Sequence, residues 1–261
     1  MRVAVIGDVH ANALALQAAL TTADIGGYDQ LVFLGDLLTY GVDVVETLEL
    51  VSERLATGHA VLLRGNHDSL YQNLFEGETA YYDKLPVWIK ESVMWTLDRL
   101  PLDIWSKISF NEEFQLLDFL FSHANPYGSE RWEYLNSSTE HANAAESLLE
   151  RGFRVGVFGH THRSKWYRYF SGAGGFESSS CGELDYSAVH ILNAGAIGQP
   201  RDNANPVANV LWLSLTNNDE SPPGFKLQQF NWNVAGHLNR VAGSGMSDEA
   251  LTRIASFFNK T

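Results

Sequence analysis

Ala60-Val61-Leu62-Leu63-Arg64-Gly65-Asn66-His67-Asp68 is the stretch on which the reading of this chain turns. Its four apolar residues suit a short strand buried on both faces, and the run ends abruptly where polar residues begin. In an open α/β sheet, ligands gather in the crevice beyond the carboxyl ends of the strands. An amide and an imidazole at such an end are therefore placed to meet a ligand. Alone, Gly65-Asn66-His67-Asp68 also reads as a polar turn. Four other apolar runs end in the same way: Val3-Ala4-Val5-Ile6-Gly7-Asp8-Val9-His10, Leu31-Val32-Phe33-Leu34-Gly35-Asp36, Phe119-Leu120-Phe121-Ser122-His123 and Val155-Gly156-Val157-Phe158-Gly159-His160-Thr161-His162. Five strands ending in Asp, Asn or His, four of them through a Gly, are hard to assign to coincidence. The rest of the chain reads as a frame that holds those ends together.

The frame begins with a β-α-β-α-β rhythm. A strand over residues 2–7 leads into an Ala- and Leu-rich helix over 11–23, then a strand ending at Asp36. Asp43 is placed to cap a helix from Val44 to Ala56, and a third strand ends at the central tetrapeptide. That alternation predicts a parallel, helix-covered sheet. Residues 69–113 break the rhythm: they are rich in Tyr, Trp and Phe, and Lys90 to Leu100 reads as a helix halted by Pro101. The segment is expected to be an inserted helical cap. Strands resume over 115–122 and 154–159, with a helix over 140–151 between them. Later runs (166–170, 187–192, 207–215, 224–232) are separated by turn-like clusters, which predicts hairpins and an antiparallel second sheet. The Gly- and Ser-rich stretch 171–182 has the composition of a flexible loop, and a last helix is expected over 247–258.

Bulk composition narrows the function. The 261 residues carry a formal net charge of −13, which argues against a nucleic-acid polymer as partner. A small phosphorylated substrate remains compatible, because bound metal ions invert the local field. Cys181 is the single cysteine, so no internal disulfide can form, as suits a reducing compartment. No run approaches the roughly 18–20 apolar residues of a membrane span, and Met1-Arg2 leads directly into a strand rather than a signal peptide. The expectation is a soluble, cytoplasmic, acidic protein without a membrane partner.

The strand ends offer Asp8, His10, Asp36, Asn66, His123, His160 and His162. Carboxylate, imidazole and carbonyl donors together suit divalent ions, and a cysteine-built zinc site is excluded. Asp36 could bridge two ions, since a carboxylate has two oxygens. His160 and His162 alternate along an extended segment and point opposite ways, so they serve different ions, or one is a ligand and the other supports it. Each residue has a plainer reading as a cap, a turn or a core imidazole, and only the joint pattern outweighs it.

These motifs, in this order, resemble those of calcineurin-like metallophosphoesterases: Asp8-Val9-His10, Gly35-Asp36, Gly65-Asn66-His67-Asp68, His123 and Gly159-His160-Thr161-His162. Asn193-Ala194-Gly195-Ala196-Ile197-Gly198-Gln199-Pro200-Arg201-Asp202 resembles a segment of the family's bacterial phosphodiesterase branch. The resemblance implies an α/β fold, a two-sheet αββα sandwich; with the small helical cap insertion read above at 69–113, a single domain over residues 1–261 is expected. It implies one ion held by Asp8, His10, Asp36 and His162, and a second by Asp36, Asn66, His123 and His160. The ions would be two divalent metals among manganese, iron, nickel, cobalt and zinc. His67 would be the acid near the leaving group. The implied activity is hydrolysis of a phosphate ester or anhydride by a water activated between the ions, foremost a phosphodiester.

Two departures from the family pattern matter. Protein Ser/Thr phosphatases of this superfamily carry an Asp-Arg pair after the bridging Asp, whereas here the loop is Leu37-Leu38-Thr39-Tyr40-Gly41, with Thr39 at the acidic position. Protein phosphatase activity is thereby disfavoured. Ala124, rather than Gly, follows His123. Around this set, Asn12 reads as a phosphate contact or a helix cap. Arg201 reads as a phosphate-binding fork or as a turn lock with Asp202. Tyr81, Tyr82, Trp88, Trp95 and Trp105 of the cap could stack a nucleobase, which supports a dinucleoside polyphosphate hydrolase as the alternative, beside a phosphomonoesterase. A different class of reading is a metal-binding scaffold without turnover, and a chromogenic diester assay with manganese separates it from the enzyme.

Overall fold

A computed structural model describes residues 1–101, 103–170, 172–201, 207–215 and 222–258, except the side chains of residues 105 and 106. Alternation along the first strand sets the layering. In β1 (Arg2–Ile6), Val3 and Val5 point between two sheets, while Ala4 and Ile6 point outward against α1 (Ala13–Gly26). Both faces of the strand are buried, so it is apolar throughout.

The first sheet is built from β1, β2 (Gln30–Phe33), β3 (Ala60–Leu62), β9 (Cys181–Glu183), β11 (Asn209–Ser214) and β12 (Gly224–Gln229), in the order β3-β2-β1-β11-β12-β9. The second contains β4 (Glu113–Leu116), β5 (Phe119–Ser122), β6 (Val155–Phe158), β7 (Ser164–Phe170), β8 (Ala173–Glu177) and β10 (Val189–Ala194), in the order β4-β5-β6-β10-β7-β8. Strands β1, β2 and β3 are mutually parallel, as are β5, β6 and β10. Every candidate ligand follows one of these parallel strands. Helices α1, α2 (Val44–Leu55) and α3 (Asn66–Glu76) supply the side chains covering the outer face of the first sheet, and α6 (Ser138–Glu150) covers the second. Between the sheets, Val5, Leu34, Phe119, Phe121, Val157 and Leu211 are buried, each stabilising the sandwich by roughly 1.5–3 kcal/mol. The fold is therefore α/β with four layers, as expected.

Several local expectations are corrected. Both sheets are mixed, and the second is not antiparallel. Residues 115–122 form a hairpin, turning at Leu117, which sits at φ 56°. The Gly-rich stretch expected to be a loop pairs instead: β8 adds to β7 and β9 to β12, with residue 171 outside the described set. Backbone pairing explains this, because a ladder needs no side chains from Gly174 and Gly175. Helix α4 (Val87–Leu97) ends four residues before Pro101, and α5 (Ile104–Lys107) follows. Helix α7 (Val234–Ala242), capped by the Asn233 side chain, and α8 (Asp248–Ala255), capped by Ser247, close the described chain. Trp88 and Trp95 of α4 pack on Val241, Met246, Ala250 and Ile254, so α4 and the last two helices pack together.

Candidate metal centre

The strand ends meet because their loops are tied across strands and sheets. Backbone N–H groups of Val9 and His10 donate to the Asp36 carbonyl at 3.0 and 2.9 Å, and Gly198 N donates to the Asp8 carbonyl at 3.0 Å. The His160 N–H donates to both Asp8 carboxylate oxygens, at 3.0 and 3.1 Å. These ties hold an unusual backbone. Asp8, His10, Asp36, His160 and His162 all have φ between 39° and 64°, in the left-handed region. Such positions cost on the order of 1–3 kcal/mol each and persist where surrounding structure fixes them, typically at functional sites. The glycine that precedes so many of the motifs has a steric cause. A Cβ on Gly65 would run into the Asp36 carboxylate, and one on Gly159 would lie 2.6 Å from Asp8 Oδ2.

The structure gathers all seven candidate ligands, each at most 3% exposed. Asp8, His10, Asp36 and His162 form one donor group; Asp36, His123 and His160 form a second, each with its donor atoms within 4.8 Å of one another. Asn66 joins the second group through Oδ1, 3.1 Å from His123 Nε2. Asp36 belongs to both. One oxygen, Oδ2, faces both groups, at 3.9 Å from His10 Nε2 and 3.4 Å from His123 Nε2. Oδ1 also accepts the His67 N–H at 2.8 Å. His160 and His162 do face different groups.

Outer contacts orient the imidazoles. Nδ1 of His10, His123 and His162 donates to the carbonyls of Leu38, Leu34 and Gln199 at 2.9, 2.8 and 2.8 Å, while His160 donates from Nε2 to Trp132 O at 3.0 Å. The other nitrogen of each ring is thereby turned inward. Burial pushes the His10 pKa down to about 3 and holds His162 well below its ordinary value, so both rings are neutral. Their Nε2 lone pairs then face each other at 3.0 Å with no proton between them. Two opposed lone pairs repel unless a cation lies between or beside them, so this donor set fits a metal ion.

The second group shows the same demand for positive charge. Burial lowers the His123 pKa, but Asp36 outweighs it and raises it to about 9, so a proton balances the group when no ion is bound. Burial raises Asp36, yet His123 and His67 more than compensate and keep it ionised. Asp8 is raised by burial to about 7.

His67 stands apart from both groups. Its Nε2 lies 3.3 Å from the Tyr40 hydroxyl, its ring is edge-on to His10 at 5.4 Å between centroids, and Nδ1 is buried without a partner. Burial lowers its pKa. Tyr40 therefore occupies the place beside His67, while Thr39 turns its hydroxyl to Tyr71 at 2.8 Å. Arg201 grips the Gln199 side chain through Nε and Nη2, at 3.2 and 2.6 Å, and its charge acts on Asp8, His162 and Tyr40. Asp202, its expected turn partner, lies outside the described residues. Asn12 is fully buried with both side-chain atoms engaged: Oδ1 caps α1 at Ala15 N, 3.1 Å away, and Nδ2 reaches Gly198 O at 3.4 Å. These contacts support the helix-cap reading of Asn12, and one N–H of its amide is left beyond the Gly198 contact.

Sequence reasoning passed over three contributors. Asp68 accepts from the backbone N–H groups of Asp36, Leu37 and Gly65 at 2.7, 3.0 and 2.9 Å, which locks the ends of β2 and β3 together. Its acid at the third position of α3 was the available signal. Trp132 and Tyr134 had no signal, since their contacts to His123 and His160 arise only in the folded loop. The cap aromatics are mostly engaged in packing: Trp88 stacks on Tyr40 and Trp95 donates to Ser244 O at 2.9 Å. The Trp105 side chain lies outside the described residues. A cavity of about 480 Å³ between α2 and residues 101–108 is lined by none of the ligands.

A two-sheet sandwich that brings buried Asp and His ligands to one edge defines a metal-dependent phosphoesterase. The chain belongs to the calcineurin-like phosphoesterase family, whose model matches residues 1–164. It is 30% identical over 227 residues to an uncharacterized protein of Methanocaldococcus jannaschii, covering 80% of this chain and 82% of that one. The structure resembles a metallophosphoesterase from Sphaerobacter thermophilus (TM-score 0.75, 25% identity, 98% of this chain and 100% of that one). It shares its fold with a hypothetical protein of Pyrococcus horikoshii (TM-score 0.70, 14% identity, 97% of each chain). Among the described residues no helix is long and apolar enough to cross a membrane.

Proposed function

We propose that the protein is a dinuclear phosphodiesterase. One divalent ion is held by Asp8, His10, Asp36 and His162, the other by Asp36, Asn66, His123 and His160. The observation that carries this reading is Asp36 Oδ2, which faces His10 in one group and His123 in the other. When bound, paired ions acidify a water and neutralise the phosphoryl oxygens. The chain's own residues supply the rest. Asp68 and the backbone ties hold Asp36 in place, and the Arg201 guanidinium adds a fixed positive charge beside the pocket. His67, set against the Tyr40 hydroxyl, is the group placed to protonate a departing alkoxide.

A diester is favoured over a monoester by the resemblance of residues 193–202 to the phosphodiesterase branch and by the absence of an acidic partner at Thr39. Manganese-loaded protein assayed on bis(p-nitrophenyl) phosphate and p-nitrophenyl phosphate tests this. The diester is expected to have the higher kcat/KM. A reversed preference would overturn the subtype, and failure to turn over either ester would favour the scaffold reading.

A further inference from the structure

Beside the second donor group lies a cavity of about 220 Å³ between α3 and the loop after β5. Asn66, Ser69, Leu70 and Asn73 form one side, and Tyr81, Glu130 and Trp132 form the other. It touches the centre directly. Asn66 is a candidate ligand whose Nδ2 donates to the Tyr81 hydroxyl at 3.0 Å, and the Trp132 carbonyl accepts from His160. Ser69 is 8% exposed, and its hydroxyl has no hydrogen-bond partner. A buried hydroxyl without a partner costs roughly 1–3 kcal/mol, a cost that a polar ligand removes.

The size and lining restrict the occupant. Sites for whole drug-sized ligands run to about 300–1,000 Å³, so this cavity suits one ring system rather than an entire substrate. Its walls combine two aromatic rings and the Leu70 side chain with two amides, a hydroxyl and a carboxylate. The Glu130 carboxylate accepts hydrogen bonds and repels phosphate, so the phosphoryl group stays at the ligands and a ring bearing N–H donors enters the cavity.

Orientation follows from His67, which sits against Tyr40 and His10 at the other donor group. A leaving group departing toward His67 moves away from the cavity, so the cavity holds the ester substituent that remains on phosphorus. We propose that this cavity is the subsite for the retained nucleoside of a phosphate diester, selecting bases that carry an exocyclic amine. The assignment of retained and departing halves rests on the phosphodiesterase reading above.

The test is calorimetric titration of the manganese-loaded protein with adenosine and cytidine 5′-monophosphates, against ribose 5-phosphate. One or both nucleotides should bind about tenfold or more tightly than the sugar phosphate, the range of one base stacked on an aromatic side chain. Asn73→Trp, which fills the cavity, should reduce that advantage to near one. Ser69→Leu fills it from the helix side and serves if the first variant does not fold. Equal binding of all three ligands, or a nucleotide preference that survives the filled cavity, overturns the proposal. A preserved binding preference without turnover of the nucleotides' p-nitrophenyl esters would leave the subsite standing and count against the hydrolase reading alone.

Discussion

Asp36 is held on every side. Its N–H donates to Asp68, its carbonyl accepts from Val9 and His10, Oδ1 accepts from His67, and Oδ2 is left for the two donor groups. Asp36→Asn halves the oxygen donors of that side chain, so metal retention and hydrolysis should fall together. Full activity with undiminished metal content would end the shared-ligand assignment. His67 should behave differently. His67→Ala is expected to keep its metal while losing roughly two to four orders of magnitude in turnover of alkyl esters, the range for general acid catalysis. On an aryl ester, whose leaving group hardly needs a proton, the loss should be much smaller; an equal loss on both would assign His67 to holding phosphate. Tyr40→Phe removes one hydrogen bond from that imidazole, and a loss of about 1 kcal/mol, or roughly fivefold in kcat on the alkyl ester, is expected at unchanged metal content. The ligands were legible because each ends an apolar run. Tyr40 and Asp68 were harder to read, since a loop Tyr and a helix-start Asp acquire their roles only through partners distant in sequence. Which Asp36 oxygen faces both donor groups could not be read at all, because it depends on a side-chain torsion.

Among the elements, the parallel strands followed from composition, since a strand covered on both faces must be apolar throughout. What escaped was structure held by backbone or by distant packing. Strands β8 and β9 are rich in small and polar residues and exist through their ladders, and α7 is short, with Gly236 in its first turn. Asp43 illustrates the same limit. It sits at the N-cap position of α2 as expected, yet its side chain makes no cap bond. Oδ2 instead accepts from Ala13 N, and Oδ1 accepts from Arg240 of α7, both a helix away. Burial raises the Asp43 pKa, but the His237 ring 4.0 Å away and the Arg240 hydrogen bond lower it below the ordinary 3.8. A depressed carboxylate contributes stability above its unfolded pKa and loses it as pH falls through the folded one. Arg240→Ala should therefore move the acid-unfolding midpoint to higher pH. At neutral pH the pair, screened by water on its Arg240 side, is worth at most about 1 kcal/mol, so the thermal midpoint should drop by only a few degrees. An unchanged acid midpoint in circular dichroism would show that α7 is held by packing alone.

For the molecule as a whole, six parallel strands from two sheets deliver their loops to one edge, where buried carboxylates and imidazoles gather. Ions that bind only the folded chain stabilise it, by about 2.7 kcal/mol at a free concentration of 100 times Kd. Removing them with a chelator should lower the melting temperature by several degrees, and manganese should restore it. The most direct measurement is the number of metal equivalents per chain, by elemental analysis of protein purified without chelator and then supplied with manganese, iron or nickel. Two donor groups sharing Asp36 predict close to two equivalents, falling in Asp36→Asn. A chain that saturates at one equivalent, or that binds none, would contradict the dinuclear centre.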